Sequence, residues 1–243
     1  MTTRLRADQL LVSRGLFESR ARAQDAIDAG LVTADGVPVR KAAQLLSANA
    51  ELQAKPAHPY VSWGGVKLAR ALEYFSFDPA GRVCLDVGAS TGGFTDVLLR
   101  SGARRIYAVD VGTDQLHPSL HDRPEIVRLE NLDARALDRA IVQDAAELIT
   151  IDVSFISLKL IFPSLRKITA PESKLVALIK PQFEAGKKLV KKGIVRDEAV
   201  HRAVCGDIAA AAEKHGWHVL DIIPSPIEGG DGNREFLLGA LLR

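Results

Sequence analysis

Val83-Cys84-Leu85-Asp86-Val87-Gly88-Ala89-Ser90-Thr91-Gly92-Gly93-Phe94-Thr95-Asp96 decides the fold of this 243-residue chain. A short apolar run contains an acid near its end, a glycine-rich turn follows, and a helix-like start closes the stretch. A dinucleotide's pyrophosphate rests on bare backbone amides and the positive end of a helix, where a neighbouring carboxylate is unwelcome. Asp86 beside such a loop suits a cationic ligand carrying an amino-acid tail, such as S-adenosyl-L-methionine. The glycines also depart from G-x-G-x-x-G, and no G-x-x-x-x-G-K-[ST] run is present.

Outward from this stretch, apolar strand-like runs alternate with helical patterns from Trp63 to the end. Strands are predicted at 83–86, 105–110, 126–129, 147–152 and 175–180, then at Trp217–Ile223 and Glu235–Leu242 after a Pro/Gly-rich turn. Such alternation predicts an α/β domain over 63–243, with a mostly parallel seven-stranded sheet covered on both faces. The closing pair reads as a hairpin, so the last strand runs antiparallel.

Placing the polar residues on that sheet locates the chemistry. Asp86, Asp110, Asp152 and Lys180 each fall at the carboxyl end of a predicted strand, the edge where open α/β sheets bind ligands. Glu235, opening the reversed strand, is predicted to reach the same edge. Asp110 follows Gly88 at the spacing of an acid that bonds ribose hydroxyls. Asp133 either accepts from an adenine amino group or serves as a helix N-terminal acid favoured by the dipole. Gly88, Ser90, Thr91, Gly92, Gly93 and Phe94 form the candidate cofactor loop. Lys67 lies in the first turn of a helix opening near Gly65, where the macrodipole disfavours a cation. That placement suits either a solvated side chain or a site residue.

The N-terminal quarter has a different texture. Residues 4–14 read as a short amphipathic helix with Leu10 and Leu11 inward. Ser19 caps a second helix through Ala29, stopped at Gly30. Asp35-Gly36 between β-branched residues is a hairpin signal. Residues 1–60 carry eight Lys and Arg against six Asp and Glu, while the remainder balances at 24 and 24. Arg4, Arg6, Arg14, Arg20 and Arg22 crowd together, and a second basic run, Lys187-Lys188-Leu189-Val190-Lys191-Lys192, comes late. Each run alone reads as a solvated face; the two together point to a polyanion partner. Lys55-Pro56-Ala57-His58-Pro59 cannot continue regular structure, so 55–62 is read as a linker closing a domain over 1–59.

Other classes fit poorly. The chain has no run of about 18 uninterrupted apolar residues and no secretory signal at its start, which predicts a cytoplasmic protein. Cys84 and Cys205 are too few for a disulfide framework, and no His/Cys cluster has zinc spacing, so no metal is expected. Cys84 inside a strand argues against a cysteine nucleophile. Asp152-Val153-Ser154-Phe155 lacks the Pro-Pro-aromatic continuation expected for methylating a base amino group. Phe155 is either a platform for an acceptor base or a core residue.

Two resemblances sharpen these readings. Residues 4–52, two helices followed by hairpin strands, resemble a small α+β S4 RNA-binding domain, which implies an RNA-contacting role for Arg4, Arg6, Arg14, Arg20 and Arg22, with Lys187 and Lys188 as a second contact. Lys67, Asp152, Lys180 and Glu235 occur in the order of the Lys-Asp-Lys-Glu tetrad of the FtsJ-type ribose 2′-O-methyltransferases. With Asp152-Val-Ser-Phe-Ile-Ser157 and Lys180-Pro-Gln-Phe-Glu184, nearly the whole chain resembles the TlyA (hemolysin A) family of ribosomal RNA methyltransferases. The resemblance implies a Rossmann-like methyltransferase domain using S-adenosyl-L-methionine, with ribosomal RNA or ribosomal subunits as partner and cytidine ribose as acceptor. Lys180 would deprotonate or electrostatically activate the 2′-hydroxyl, while Asp152 and Glu235 orient the two ammonium groups. Competing expectations are a non-catalytic RNA-binding protein on the same fold, and the membrane-lytic activity in the family's hemolysin name. The sequence leaves the oligomeric state open.

Overall fold

The computed structural model describes residues 3–229 and 232–243 and divides into two compact units, Met1–Pro59 and Tyr60–Arg243. In the first unit the elements are β1 Arg4–Arg6, α1 Ala7–Ser13, α2 Arg20–Asp28, β2 Val32–Ala34, β3 Val37–Pro38, β4 Leu45–Ser47 and β5 Leu52–Ala54. β1 pairs antiparallel with β4, and β2 is the centre of an antiparallel β3-β2-β5 sheet. Leu10, Leu11, Ala23, Ala26, Ile27 and Val32 form the core between the helices and that sheet. Ser19 accepts a hydrogen bond from the Arg22 amide, which starts α2, and Gly30 at φ +72° follows its end. Asp35 and Gly36, at φ +51° and +76°, supply the two left-handed residues of a tight hairpin turn.

One expectation here is corrected. The helix read over 4–14 begins only at Ala7, because Arg4-Leu5-Arg6 is an alternating triplet whose backbone bonds are taken by β4. The segment 55–62, read as a linker, has no regular structure, as its prolines dictate, and each end is held within its own unit. Arg22 donates to the His58 carbonyl at 3.1 Å, and the Val61 amide donates to Asp96 at 3.0 Å.

The predicted arginine cluster is organised around a buried acid. Asp8 is fully enclosed and accepts from Arg6 at 3.0 Å, Arg20 at 2.7 Å and Gln24 at 3.1 Å. The Arg6 guanidinium, with Arg20 and Gln24, holds the Asp8 carboxyl well below the usual carboxylate range. Arg14 donates to the Ala48 carbonyl. These guanidinium groups therefore support the unit's own fold, although Arg20 keeps half its side chain in solvent.

The second unit holds α3 Gly64–Phe75, β6 Val83–Val87, α4 Gly93–Arg100, β7 Arg105–Val109, β8 Ile126–Leu129, β9 Ala146–Ile151 and the single turn α5 Phe162–Leu165. It continues with β10 Thr169–Ile179, the single turn α6 Pro181–Glu184, α7 Glu198–Lys214, β11 Trp217–Pro224 and β12 Phe236–Leu242. The seven strands form one sheet in the order β11-β12-β10-β9-β6-β7-β8, and β12 alone runs against its neighbours. β10 begins six residues earlier than its apolar run suggests, since a register shift between Thr169 and Lys174 lets polar residues join the ladder.

Side-chain alternation divides the core in two. Val83, Leu85 and Val87 face one layer with Ile149, Ile151, Phe162, Ile208 and Trp217. Cys84 faces the other with Leu68, Phe94, Leu98 and Leu148. The crossover from β8 back to β9 reverses the strand order beside β6. The carboxyl ends of β6 and β9 thus adjoin at the switch point, where α/β folds open a crevice.

The buried Asp8 sets the first test. Asp8→Ala is expected to speed amide exchange across α1 and α2 by roughly tenfold or more while leaving the 60–243 unit unchanged. Hydrogen exchange read by peptide mass would show it; unchanged exchange in α1 and α2 would mean that Asp8 does not anchor this unit.

Candidate active site

The loop leaving β6 and the segment leaving β9 approach each other very closely. Gly88 adopts φ +83°, and a Cβ built there would lie 2.3 Å from the Asp152 carbonyl oxygen. Only glycine allows this approach. Gly93 does the same between helices, since its Cβ would meet Ser62 and the amide of Gly65. The N-terminal ends of α3 and α4 thereby close on the crevice from one side.

Two connected hollows lie along this edge. The larger, about 440 Å³, is walled by Val87, Val109, Val111, Leu132, Ile156 and Ile161, with Gly88, Ser90, Asp110 and Asp133 as polar lining. The smaller, about 190 Å³, is lined by Lys67, Thr91, Gly93, Phe94, Lys180 and Ser62, among others. Gly88, Ser90, Asp152 and Ser154 border both. The larger hollow has the size and mainly apolar walls of a small-molecule site, and the smaller is polar.

Four charged groups make two pairs at the smaller hollow. Lys67 is buried on α3, and its Nζ lies 2.5 Å from Glu235 Oε2, itself 4% exposed just before β12. Lys180 follows β10, with Nζ 2.6 Å from Asp152 Oδ1 and a directed hydrogen bond to Ser154 Oγ at 2.9 Å. Glu235 lies behind Lys67, where a Cβ on Gly229 would collide with its carboxylate. Lys67, Asp152 and Lys180 face the hollow, and two positive and two negative charges balance there.

The acids predicted to meet a cofactor separate into different roles. Asp110, after β7, accepts from the Ser90 amide at 2.8 Å and the Gly112 amide at 2.7 Å, which moulds the loops around the larger hollow. Asp133 lines the same hollow and also caps a short turn, accepting from the Arg135 amide at 2.9 Å. The Arg135 guanidinium and that amide hold its carboxyl down, to about 2.

Asp86 is corrected. It lies one residue before the end of β6 on the Cys84 side, so it points under α4 rather than into either hollow. It is fully buried and accepts from Thr95 Oγ1 at 2.6 Å and Thr150 Oγ1 at 3.0 Å. Burial pushes its carboxyl up to about 7; the two hydroxyls oppose the rise and the Asp152 charge adds to it. Gly92 is corrected similarly: at φ +90° it turns toward Leu116 and Leu120, whose side chains would meet any Cβ there. Its role is loop packing.

Phe155 is not a core residue. It is 90% exposed, adopts φ +64°, borders the larger hollow and lies 4.8 Å from the Phe183 ring. Its backbone conformation is strained for a bulky residue. It is bracketed by Lys180 bonding Ser154 and by Glu184, which accepts from Ser157 Oγ at 2.5 Å and the Leu158 amide at 2.8 Å. Ser62, Ser154 and Glu184 were missed as site residues by sequence reasoning. Ser154 and Glu184 lie inside the two quoted motifs, which was the available signal, but side-chain direction was not legible; Ser62 carried no signal.

The fold and its charged switch-point crevice define the methyltransferase class of α/β proteins. Residues 60–241 match the FtsJ-like methyltransferase family and residues 5–52 match the S4 domain. The chain belongs to the FtsJ-like methyltransferase family. It is 42% identical over 241 residues to the 16S/23S rRNA (cytidine-2′-O)-methyltransferase TlyA of Mycobacterium tuberculosis, covering 98% of this chain and 90% of that protein. It is 38% identical over 179 residues to the 23S rRNA (cytidine-2′-O)-methyltransferase TlyA of Campylobacter jejuni, covering 73% and 69% respectively. A solved Streptococcus thermophilus structure carrying the hemolysin label matches with TM-score 0.78 and 40% identity, covering 100% of this chain and 90% of that one. Among the described residues, no helix is long and apolar enough to cross a membrane.

Asp86 gives a pH test. Its folded value near 7 lies above the unfolded carboxylate value of about 4. Its stabilising contribution is therefore complete below about pH 4 and is lost as pH rises through about 7. Asp86→Asn should remove that loss, so urea midpoints of the two proteins should diverge between those limits and then run parallel. Parallel profiles throughout would show that this carboxyl does not titrate there.

Proposed function

We propose that the chain transfers the methyl group of S-adenosyl-L-methionine to a ribose 2′-hydroxyl of ribosomal RNA, with cytidine as the acceptor named for both TlyA relatives. One observation carries the reading: Lys67, Asp152 and Lys180 face one polar hollow that opens onto a cofactor-sized apolar one. The donor set fits the cofactor. Apolar walls suit the adenine ring, Asp110 and Asp133 offer carboxylates to ribose and amino groups, and side-chain-free Gly88 leaves room between them. When bound, the cofactor supplies an electrophilic sulfonium methyl.

The chain's own residues do the rest. Lys180, held by Asp152 and Ser154, meets the 2′-hydroxyl and either deprotonates it as a neutral amine or, as an ammonium, stabilises the negative charge that develops on its oxygen. Lys67, fixed from behind by Glu235, orients the acceptor oxygen for an in-line approach. Such positioning supplies much of the acceleration in a transfer between two bound partners. Ser90, Thr91, Gly93 and Phe94 shape the passage between the hollows. Phe155, exposed at the rim beside Phe183, offers an aromatic face to the acceptor base.

RNA capture falls to the basic surfaces. Arg4, exposed at the N-terminus, and the outer faces of Arg14 and Arg20 serve in the S4 unit, whereas Arg22 is largely buried and its guanidinium is engaged by His58, so it supports the fold instead. Lys187 and Lys188, exposed on a short turn, serve in the second unit. Arg6 contributes mainly by supporting Asp8.

Two measurements test this. In single-turnover transfer with RNA and cofactor saturating, Lys180→Ala should slow methylation by about 10²-fold or more, with both affinities near wild type. Lys67→Ala should lose most activity, and the two losses should not add. A Lys180→Ala protein turning over at the wild-type rate would remove the tetrad from catalysis. Separately, deleting residues 1–59 should flatten the dependence of RNA affinity on salt, because fewer phosphates are neutralised. Equal slopes would place the electrostatic anchor elsewhere.

A further inference from the structure

Between the basic segment and Glu235 lies a polar side chain that the catalytic scheme does not use. Asn233 is 3% exposed, two residues before Glu235. Its Nδ2 donates to the Gly193 carbonyl at 3.0 Å, its Oδ1 accepts from the Val195 amide at 3.3 Å, and its own carbonyl accepts from the Gly229 amide at 2.8 Å. Both faces of its amide are thus spent on one stretch, while its backbone carbonyl holds Gly229. A buried amide with its donor and acceptor engaged by backbone fixes what it touches, because a slip would strand polar groups away from water.

The stretch it grips is a minimal hairpin. Lys191 and Ile194 exchange both backbone hydrogen bonds at 3.0 Å around a Lys192-Gly193 turn with φ of +51° and +79°. Lys187, Lys188, Lys191 and Lys192 are exposed on and beside it. Beneath it, the buried His201 ring bonds the Val195 carbonyl through Nε2 at 2.9 Å and packs against Phe236. On the other side of Asn233, the space for Gly229 is set by Glu235: any side chain there would strike the carboxylate that holds Lys67. One residue therefore binds the lysine-bearing hairpin to the loop that places the Lys67–Glu235 pair.

We propose that Asn233 is a positioning residue for methyl transfer: it sets Glu235, and through it Lys67, from the basic hairpin Lys191–Ile194. This rests on the methyl-transfer reading of the crevice. The consequence is that RNA phosphates gathered by the hairpin lysines lie against a segment bonded to Asn233, two residues from Glu235.

Asn233→Asp tests it with little change in shape, since the acceptor to Val195 is retained and the donor to Gly193 is lost. The expected result is a single-turnover transfer rate reduced about tenfold with RNA and cofactor saturating. In a Glu235→Ala background the same substitution should have little further effect, since both act through one pair. Independent losses that multiply, or a wild-type rate in Asn233→Asp, would overturn the proposal. A second readout does not depend on the reaction. Acetylation of Lys67 by an amine-reactive reagent, followed by peptide mass, should be several-fold faster in Asn233→Asp, with cofactor-independent thermal unfolding near wild type. Unchanged Lys67 protection would overturn the positioning role even if transfer itself were lost. Absence of transfer in the wild type would instead refute the methylation reading, leaving the Lys67 measurement to decide the role of Asn233.

Discussion

The contact between Gly88 and the Asp152 carbonyl is the constraint on which the crevice depends. β6 and β9 are adjacent parallel strands, and both chains must leave the sheet through the same few ångströms. A side chain at residue 88 would push the two segments apart and carry Asp152 and Ser154 away from Ser90. The missing Cβ lets the loop fold over the end of β9, so both hollows share Gly88, Ser90, Asp152 and Ser154 as a common border. A methyl donor in one hollow and an acceptor oxygen in the other would meet across that border. The reaction proposed here needs this juxtaposition more than it needs a strong base, because a bimolecular displacement gains most from fixed approach.

Charge arrangement follows from the same geometry. Each lysine of the crevice comes with its own carboxylate, and the two pairs differ in depth. Glu235 sits behind Lys67 and is nearly inaccessible, whereas Asp152 and Lys180 both border the hollow and Lys180 also bonds Ser154. Removing one member of the deeper pair would leave a buried unpaired charge, a costly state in a low-dielectric setting. The deeper pair is thus suited to holding a position and the shallower one to handling a proton. The hydrogen-bonded supports extend this division: Glu184 and Lys180, both from the segment after β10, clamp the residues on either side of Phe155 and hold its strained backbone at the rim.

Much of this was legible in the sequence because it depends on periodicity and strand ends. Apolar runs located all seven strands to within a few residues, except the bulged start of β10, whose polar residues join the ladder through a register shift that hydropathy does not record. The reversed last strand placed Glu235 at the correct edge. Asp86 shows where such reading stops. It was placed in the crevice because it sits near a strand end, but strand side chains alternate faces, and a one-residue offset directs it under α4 toward Thr95. At Gly92 the pattern of glycines was visible, while the packing against Leu116 and Leu120 that explains it belongs to a loop without periodicity. The N-terminal arginines show the same limit for charge: a count along the chain sees five cations, but not the buried Asp8 that engages Arg6 and Arg20.

Asp86 also bears on why an acid stands in the opening stretch. Its two oxygens join β6 to β9 through Thr150 and to α4 through Thr95, so a single side chain ties together the strand before the Gly88 loop, the strand before Asp152 and the helix after Gly93. An apolar residue could fill the volume but would take the carboxylate acceptor from Thr95 and leave Thr150 only the Leu85 carbonyl at 3.4 Å, and a buried hydroxyl that loses its partner costs more than an ordinary hydrogen bond gains. Burial raises the carboxyl toward neutrality, which lowers the cost of keeping it there. The acid that first suggested a cationic ligand is therefore better understood as the support beneath the Gly88 loop. The hollow above it draws its polarity from Asp110, Asp133 and Asp152.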